Sequence, residues 1–212
     1  ANISGIDSLG AVRSLSGTNV INGQLNLVNP RGAADNVNRY YGIGADLNAA
    51  LTIGNIRTDM TTGGNRNIFL YLLGKGTINI TGNADNTNGT PSDRFHINQV
   101  DDNIVNVSGV NAFADNHYRI YRGTTNVIGA GTLGNSDRSV IVFQDGKLVL
   151  DNSTTNTMNR LGTATRGLDM RGGVLEAIPN AAPAVTNLTG ATTNASTTVT
   201  VASTTGLLAG MK

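Results

Sequence analysis

The sequence predicts an all-β protein, and within that class a parallel β-helix (β-solenoid) of about seven to eight rungs built from roughly 25-residue repeats. Three observations support this prediction: a composition that opposes helices, a recurring arginine, and apolar pairs that keep a similar distance from it. An antiparallel β-sandwich is the alternative, because short strands with frequent turns also fit that architecture.

The amino-acid composition is unusual for a globular domain. Charged residues make up 14% of the chain and aromatic residues 4%, there is no Trp, and Asn, Thr and Gly are abundant. Side chains of Asn, Asp, Thr and Ser compete for backbone hydrogen bonds, and Gly loses much entropy in a helix. We therefore expect almost no helix.

Charge and cysteine content argue against several classes of function. The formal net charge is +1, so the chain offers no field of one sign to attract nucleic acid or an anionic membrane surface. Because cysteine is absent, a disulfide, a thiolate metal site and a cysteine nucleophile are excluded. No run of about eighteen apolar residues occurs, so we expect no transmembrane helix and no membrane insertion.

Arginine marks the repeat, since it opens apolar runs at regular intervals and often follows Asn or Asp. Successive members are separated by 26, 27, 28, 25, 19 and 28 residues. The members are Arg13, Arg39, Arg66, Arg94, Arg119, Arg138 and Arg166. Each is predicted to begin one rung of the solenoid.

Apolar pairs with period two follow the arginines and predict a second strand in each unit. In the first three units the pair lies 12 and 14 residues after the arginine, and later pairs come slightly earlier or are looser. The pairs are Leu25 and Leu27, Leu51 and Ile53, Ile78 and Ile80, Val105 and Val107, Val127 and Ile128, Leu148 and Leu150, and Val174 and Leu175. One unit cannot bury its inner face alone, but stacking on its neighbour buries that face.

Each unit is predicted to contain a first strand, a corner, a second strand and a polar return. First strands are expected at 66–73, 94–100, 119–122 and 138–143, and second strands at 76–82, 103–109 and 146–152. Corners are expected at 44–46, 74–76, 101–103, 145–146 and 171–173. Their varied sequences favour a solenoid, because hairpins would require a fixed turn type and length.

Asp145-Gly146 carries the strongest hairpin signal in the chain, since Asp-Gly between two apolar runs favours a two-residue type I′ turn. Its position in the repeat, however, matches the corners of the other units. We therefore interpret it as a corner between two strands of one rung.

Asn and Asp are expected at the corners, because both tolerate the left-handed backbone conformation and cap neighbouring backbone groups. Stacked Asn side chains can also form a hydrogen-bonded ladder from rung to rung. Asp-Asn pairs, which we place at corners, occur at 35–36, 85–86, 102–103, 115–116 and 151–152.

The composition divides the chain into two parts. Residues 1–180 are predicted to form the solenoid, and residues 181–212 a Thr- and Ala-rich linker with the start of a further β module. Thr197–Val201 alternates like a strand within this second part. The chain is expected to be a segment of a longer protein.

Three sets of polar side chains are candidate binding residues. Arginines of the series could bind phosphate or acidic sugars, although bonds to the adjacent rung are the favoured interpretation. Asp101, Asp102 and Asp115 could bind a hard cation, but the glycine-rich calcium-binding repeat is absent. His96 and His117 show no metal-site spacing and are interpreted as strand residues.

Aromatic residues in consecutive first strands are predicted to stack on one another, with a sugar-binding stripe as the alternative. They are Tyr40, Tyr41, Phe69, Tyr71, Phe95, Tyr118 and Tyr121. Glycoside hydrolysis needs two facing carboxylates, and nucleophile-elbow, phosphate-loop and dinucleotide motifs are missing. We therefore predict no enzymatic activity, no catalytic residue, no metal ligand and no cofactor, and leave binding residues unassigned.

The segment 147–178 carries a series of short motifs in a defined order. They are Leu148-Val149-Leu150, Asp151-Asn152-Ser153, Asn159-Arg160-Leu161-Gly162, a strand at Leu168–Met170, and Gly172-Gly173-Val174-Leu175. In this order they resemble the autotransporter-associated β-strand repeat. The resemblance implies a secreted, parallel β-helical stalk or passenger region of a repetitive surface protein, and it supplies no catalytic residue.

Together these patterns favour a non-enzymatic structural protein at the cell surface, as part of an appendage, sheath or adhesin, with self-assembly into filaments through open solenoid ends as a further expectation. A phage tail or capsid fibre module that binds a host glycan is the alternative, and a glycan-cleaving β-helix enzyme comes third. Expected partners are other copies, other surface-protein modules or a glycan, and not nucleic acid. The expected location is extracellular, on a cell or virion surface.

Overall fold

A computed structural model describes residues 10–28, 38–59, 67–85, 94–110, 117–134, 139–162 and 167–180. Across these ranges the chain forms thirteen β-strands and no helix, as its composition predicts. The strands are β1 (Val12–Ser14), β2 (Thr18–Val28), β3 (Arg39–Ala45), β4 (Ala50–Asp59), β5 (Asn67–Gly74), β6 (Thr77–Ile80), β7 (Ala84–Asp85), β8 (Arg94–Gln99), β9 (Ile104–Val107), β10 (Tyr118–Val127), β11 (Val140–Asp151), β12 (Leu168–Arg171) and β13 (Val174–Ile178).

The strands stack in two ladders, and every pairing between them is parallel. The first ladder runs β1, β3, β5, β8, β10, β11, β12, and the second runs β2, β4, β6, β9, β10, β11, β13. We call each first-ladder strand with its second-ladder strand a layer, numbered 1 to 7 from the N-terminal end. The protein is therefore a β-solenoid, and the sandwich alternative is wrong.

The described strands form seven layers, close to the prediction of about seven to eight rungs. Five layers consist of two separate strands, and two more consist of one continuous strand each, β10 and β11. At about 4.8 Å per spacing, these layers extend for about 29 Å along the solenoid axis. A short third side comes from the ends of β2 and β4, on which β7 stacks.

Asp145-Gly146 lies inside β11 and makes no hairpin. The dipeptide and the strand residues on both sides of it pair in parallel with β10, with Val142 opposite Ile120 and Gly146 opposite Gly123. One extra residue of β11 is accommodated between these two pairs. The corner of this layer is thus a bulge in a continuous strand, which re-aims the chain without a tight turn.

Inward-facing side chains form columns along the axis, because equivalent positions of successive parallel strands lie one above another. The Tyr118 column consists of Tyr41, Leu70, Ile97, Tyr118, Val140 and Leu168. The Leu148 column consists of Asn19, Leu51, Ile78, Val105, Thr125, Leu148 and Leu175. Between layers 2 and 6 both columns belong to one continuous buried core.

The predicted register of the second strands is confirmed in layers 2, 3, 4 and 6 and is wrong in layer 1. In layers 5 and 7 only one member of each predicted pair, Val127 and Leu175, lies in that register. Leu25 pairs with Ile56 rather than with Leu51, whose partner is Asn19. The error arises because Arg13 pairs with Gly44 and so lies five positions further along its strand than Arg39. Counting from the arginine therefore overshoots in the first unit.

Residues 181–212, including Thr197–Val201, lie outside the described residues, so the predicted domain division after residue 180 stays a prediction. The described strands extend to Ile178, in agreement with a solenoid that reaches that point. No helix in the described part of the chain is both long enough and apolar enough to cross a membrane.

Candidate functional site

The outer face of the second ladder carries a ladder of asparagine side chains. Asn126 Nδ2 donates to Asn106 Oδ1, and Asn106 Nδ2 donates to Asn79 Oδ1, each at a distance of 2.9 Å. Asn79 Nδ2 continues the series by donating to Thr52 Oγ1 at 3.2 Å. The predicted Asn ladder exists, but on a flat sheet face rather than at a corner. Its amides bond to the neighbouring layers, which links four layers along the axis.

The Asp-Asn pairs within the described residues lie at strand ends, as expected for corners. Asp102-Asn103 separates β8 from β9, and Asp151-Asn152 ends β11. Hydrogen bonds from Ser153 to the Asp151 carboxylate lower the pKa of that carboxyl group. The pairs at 35–36 and 115–116, together with Asn86, lie outside the described residues.

The arginine series does not form one column, so a stripe of stacked guanidinium groups is wrong. The described members pair with different positions of the neighbouring strands: Arg13 with Gly44, Arg39 with Ile68, Arg94 with Asn67, and Arg119 with Asn98. Arg66, Arg138 and Arg166 lie outside the described residues. The reason is that the arginines lie at different positions relative to the strand pairing, so an arginine marks the start of its strand only approximately.

Arg13 shows the structural role that the sequence favours for this series. Its Nε donates to Asp46 Oδ1 at 2.7 Å and its Nη2 to Asp46 Oδ2 at 2.8 Å. Asp46 belongs to the next layer, and the two side chains are about one-third exposed. The bidentate geometry fixes one layer on the other and occupies both oxygens of the carboxylate.

The aromatic residues divide between the core and the outer face. Phe95 and Tyr118 point inward and are fully buried. On the outer face of the first ladder the rings of Tyr40, Phe69, His96 and His117 form one stack. Their centroid distances are 5.2, 4.8 and 5.8 Å, and adjacent planes differ by 14°, 15° and 9°.

This outer stack confirms the predicted ring-on-ring packing for Tyr40 and Phe69, and it continues through the two histidines rather than through the other predicted aromatic residues. A sugar packs against the face of an aromatic ring, and the faces inside the stack already contact other rings. A second stack joins Tyr121 to Phe143 at 4.3 Å, and the Arg171 guanidinium covers Phe143 at 5.5 Å. Burial raises the pKa values of Tyr41 and Tyr71, which belong to β3 and β5 of the first ladder. Within the described residues the aromatic rings therefore offer little free face for a sugar.

His96 and His117 also bond to neighbouring layers. His96 Nε2 lies 3.4 Å from Asn67 Oδ1, and His117 Nδ1 lies 3.3 Å from the backbone oxygen of Ser139. These contacts agree with the interpretation of both histidines as strand residues. Across the described ranges, no three His, Asp or Glu side chains converge as metal ligands would.

A corner groove of about 750 Å³ runs along the solenoid where the first strands end. It crosses five layers, and the residues that line it include Leu15, Leu47, Lys75, Asp101, Asp102 and Arg122. Leu15 and Leu47 are strongly exposed at its N-terminal end. The groove is a candidate ligand site, and the sequence does not reveal it because its residues come from separate corners.

The acidic residues of the corner groove are bonded to neighbouring layers. Asp101 Oδ2 accepts a hydrogen bond from the Gly74 backbone N–H at 2.8 Å, and Asp102 pairs with Arg122 at 3.2 Å. Gly74 has a φ of 91°, and a Cβ there would lie 2.1 Å from the Ala45 oxygen, so only glycine fits. Asp115, the third predicted cation ligand, lies outside the described residues.

A buried polar network crosses the core between layers 4 and 5. Tyr118 Oη donates to Thr125 Oγ1 at 2.9 Å, and Thr125 Oγ1 donates to Gln99 Oε1. Gln99 Nε2 in turn donates to Asn103 Oδ1 at 2.8 Å and to the Asn103 backbone oxygen at 3.0 Å. Burial raises the pKa of Tyr118, partly opposed by its bond to Thr125, so the phenol stays neutral.

Arg160 is the most deeply buried cation in the described part of the chain, with 3% exposure. Its guanidinium donates to Asn152 Oδ1 at 2.6 Å and to the backbone oxygens of Gly129, Gly131 and Thr155 at 2.9, 3.1 and 2.8 Å. Burial lowers the pKa of this guanidinium, and the Asp151 carboxylate opposes that shift. Arg160 therefore fastens the return after β11 onto the layer below.

The residues beside Arg160 explain the local motif Asn159-Arg160-Leu161-Gly162. Asn159 and Gly162 have φ values of 57° and 112°, so the chain turns sharply on both sides of the arginine. Leu161 packs against the core. The motif that carries the resemblance to the autotransporter-associated repeat is thus an inward-pointing arginine held by a tight turn.

Comparison with known proteins adds no family: no family model, no curated protein and no solved structure matches the chain. The solenoid architecture therefore rests on the strand pairings described above.

Besides the corner groove, sequence reasoning missed the Gln99 network and the burial of Arg160. A signal for the first exists in the alternation of Phe95, Ile97 and Gln99, which places a polar side chain at an inward position. Arg160 has no such signal, because it lies in a turn where no periodicity applies.

Proposed function

We propose that the chain is a non-enzymatic structural segment of an extracellular surface protein, a stiff spacer within an appendage, sheath or adhesin. The proposal rests on one observation: many outward-facing side chains bond to or stack on the equivalent side chains of adjacent layers. Asn79, Asn106 and Asn126 bond to one another, and the rings on the first ladder stack on one another. Such columns add stiffness along the axis rather than a site for chemistry.

The mechanical consequence follows from the direction of the hydrogen bonds. In a parallel solenoid the ladder bonds lie along the axis, with one row for each strand of a layer. Bending the rod would have to stretch many bonds on one side at once. A spacer of this kind keeps a surface domain at a fixed distance from the cell.

The more specific proposal is a repetitive bacterial surface protein of the autotransporter-passenger kind. It is supported by the resemblance of residues 147–178 to the autotransporter-associated repeat. It is also supported by the structural role of the arginine in that motif, since Arg160 fastens the return after β11 onto the layer below. The absence of cysteine and the low content of charged residues are compatible with a secreted β protein. Association with further copies or with other surface modules belongs to this proposal.

A fibre module that binds a host glycan is the second candidate. The corner groove favours it, because Lys75 and Arg122 together with Asp101 and Asp102 could donate and accept hydrogen bonds along a linear sugar. Glycan cleavage is a weaker proposal, since the described carboxylates of the groove bond to neighbouring layers.

The two functions can be separated with the purified 212-residue chain. Electron microscopy should show rods or filaments, limited proteolysis should leave the solenoid intact, and assays on polysaccharides should show no turnover. A variant with Lys75→Ala and Arg122→Ala should retain the rods and the protease resistance. Globular monomers that bind or cleave a glycan, with activity lost in this variant, would refute the structural proposal.

A further inference from the structure

The dipeptide Asn22-Gly23 forms a bulge within β2. This strand pairs with β4 in register up to Ile21 and again from Gln24, so Asn22 and Gly23 together stand opposite Gly54. Neither of the two residues has a partner in the ladder. Because a bulge leaves its extra residue outside the regular pairing, this part of β2 is held less tightly than the strand on either side.

The other side of the dipeptide is open as well. Within the described residues β2 is the terminal strand of the second ladder, and β4 is its only strand partner. Asn22 and Gly23 are both exposed, and a Cβ placed on Gly23 would have no atom within 4 Å. Water therefore reaches both the Asn22 amide and the Gly23 backbone.

An asparagine followed by glycine can lose its side-chain amide without an enzyme, because no Cβ hinders the approach of the glycine nitrogen. The Gly23 backbone nitrogen attacks Asn22 Cγ, and the bond from Cγ to Nδ2 breaks as the new bond forms. The proton of the backbone N–H passes to the leaving nitrogen, which departs as ammonia and leaves a cyclic succinimide. Water then adds to either ring carbonyl and opens the ring to an aspartyl or an isoaspartyl residue.

This reaction requires the backbone to rotate out of the extended conformation, which regular strand pairing opposes. Asp145-Gly146, the other Asn-Gly or Asp-Gly dipeptide in the described part of the chain, has both residues paired with β10. A Cβ on Gly146 would lie 2.4 Å from the Ile120 oxygen, so the backbone there is closely packed. The bulge at Asn22-Gly23 is free of both restraints.

We propose that Asn22-Gly23 is a site of spontaneous deamidation, at which the folded protein converts Asn22 to aspartyl and isoaspartyl residues. The change places a carboxylate on the exposed surface of layer 1, and the isoaspartyl product adds a methylene to the backbone of β2. A bulge already departs from the ladder spacing, so it accommodates this methylene without shifting the pairs on either side. The site needs only water as a reactant and does not depend on the proposed function.

Peptide mapping of the folded 212-residue chain tests this site. After incubation at mildly alkaline pH, the tryptic peptide of residues 14–31 should contain both products at Asn22, assigned by fragmentation in the mass spectrometer. A sample digested before incubation gives the background. Asn19 and Asn26 are not followed by glycine and should convert at least about tenfold more slowly. An Asn22 that stays unmodified, or that converts no faster than these two residues, would overturn the proposal.

Gly23→Ala tests the role of the glycine. The surroundings of Gly23 have room for the added methyl group, so the variant should keep the fold. Because the methyl group hinders the attack by the backbone nitrogen, conversion of Asn22 should slow by about tenfold or more. An unchanged rate would contradict the succinimide route.

Ser108→Asn separates the effect of the bulge from that of the dipeptide sequence. It places an asparagine before Gly109, whose backbone N–H donates to the Ile80 oxygen at 3.3 Å. A Cβ on Gly109 would lie 2.0 Å from the Gly82 oxygen, so the backbone is closely packed at this point. Position 108 should therefore lose its amide at least about tenfold more slowly than Asn22. Equal rates at the two positions would overturn the proposal, because the sequence alone would then determine the reaction.

Discussion

The two ends of the solenoid differ in the chemistry that they present along the same column. At the N-terminal end the column begins with Asn19, whose amide is bonded within its own layer. At the C-terminal end it finishes with Leu175, which is substantially exposed. In this column the N-terminal end is therefore polar and locally satisfied, whereas the C-terminal end is apolar like an interior layer.

This difference teaches that a repeat does not make the two ends of a solenoid equivalent. Growth by stacking is favourable only where an apolar layer meets another apolar layer. Self-assembly through both ends, as the repeat alone suggests, would place Asn19 against Leu175 in this column. The contrast between the ends predicts that the cost of a substitution in unfolding free energy depends on its place along the axis. Substitutions at the N-terminal end, near the C-terminal end and between them can test this.

The largest effect is expected from exchanging an end residue with its interior neighbour in the Leu148 column. Leu51→Asn should lower the free energy of unfolding by about 3–5 kcal/mol, because it removes a buried apolar side chain and buries an amide. Asn19→Leu should change it by less than about 1 kcal/mol, since position 19 is exposed.

Urea unfolding of both variants gives this comparison, and Leu51→Ala separates the loss of volume from the cost of the buried amide. Equal destabilisation by Leu51→Asn and Asn19→Leu would mean that position 19 is not at an end.

An intermediate effect is expected at Arg160, near the C-terminal end. Arg160→Met should cost about 3 kcal/mol, because three backbone oxygens and the Asn152 amide lose a charged donor in a buried site. Thermal unfolding measures the loss. Arg171→Met is the matched control, and it should cost less than about 1 kcal/mol because Arg171 pairs with Asp169 at an exposed site. A similar cost at both positions would contradict the role assigned to Arg160.

The smallest effect is expected at the ion pair that fastens layer 1 to layer 2. Arg13→Ala should cost about 0.5–1 kcal/mol, because the pair with Asp46 is partly exposed and screened by water. A double-mutant cycle with Asp46→Ala, measured at low and high salt, isolates the pair. A coupling energy that does not fall with salt would show that the pair is more desolvated than its exposure indicates.

Much of this fold is predictable because a parallel ladder repeats one pattern. Ile78, Val105 and Leu148 share a column because each belongs to a period-two pattern at a similar point in its unit. Prediction fails in layer 1, where Arg13 lies further along its strand than Arg39. Counting residues from the arginine cannot detect such a shift, because the number of residues between strands does not determine which positions pair.

The candidate site is less predictable for a different reason. The corner groove brings Lys75 and Asp102 together from separate layers, and Gln99 reaches Thr125 across the core. These contacts depend on which residues stack, which becomes clear only after the register is known. Arg160 is harder still, since backbone oxygens as acceptors leave no mark on the sequence.

The uneven spacing of the Leu148 column has a consequence for how this architecture tolerates change. Its longest interval exceeds its shortest by twelve residues, yet both intervals advance the ladder by one strand. The surplus is absorbed outside the paired strands, so the pitch of the rod does not depend on it. Peptides inserted between the paired strands should therefore be displayed along the solenoid without altering its length. The chain could serve as a scaffold that holds foreign epitopes at fixed spacings.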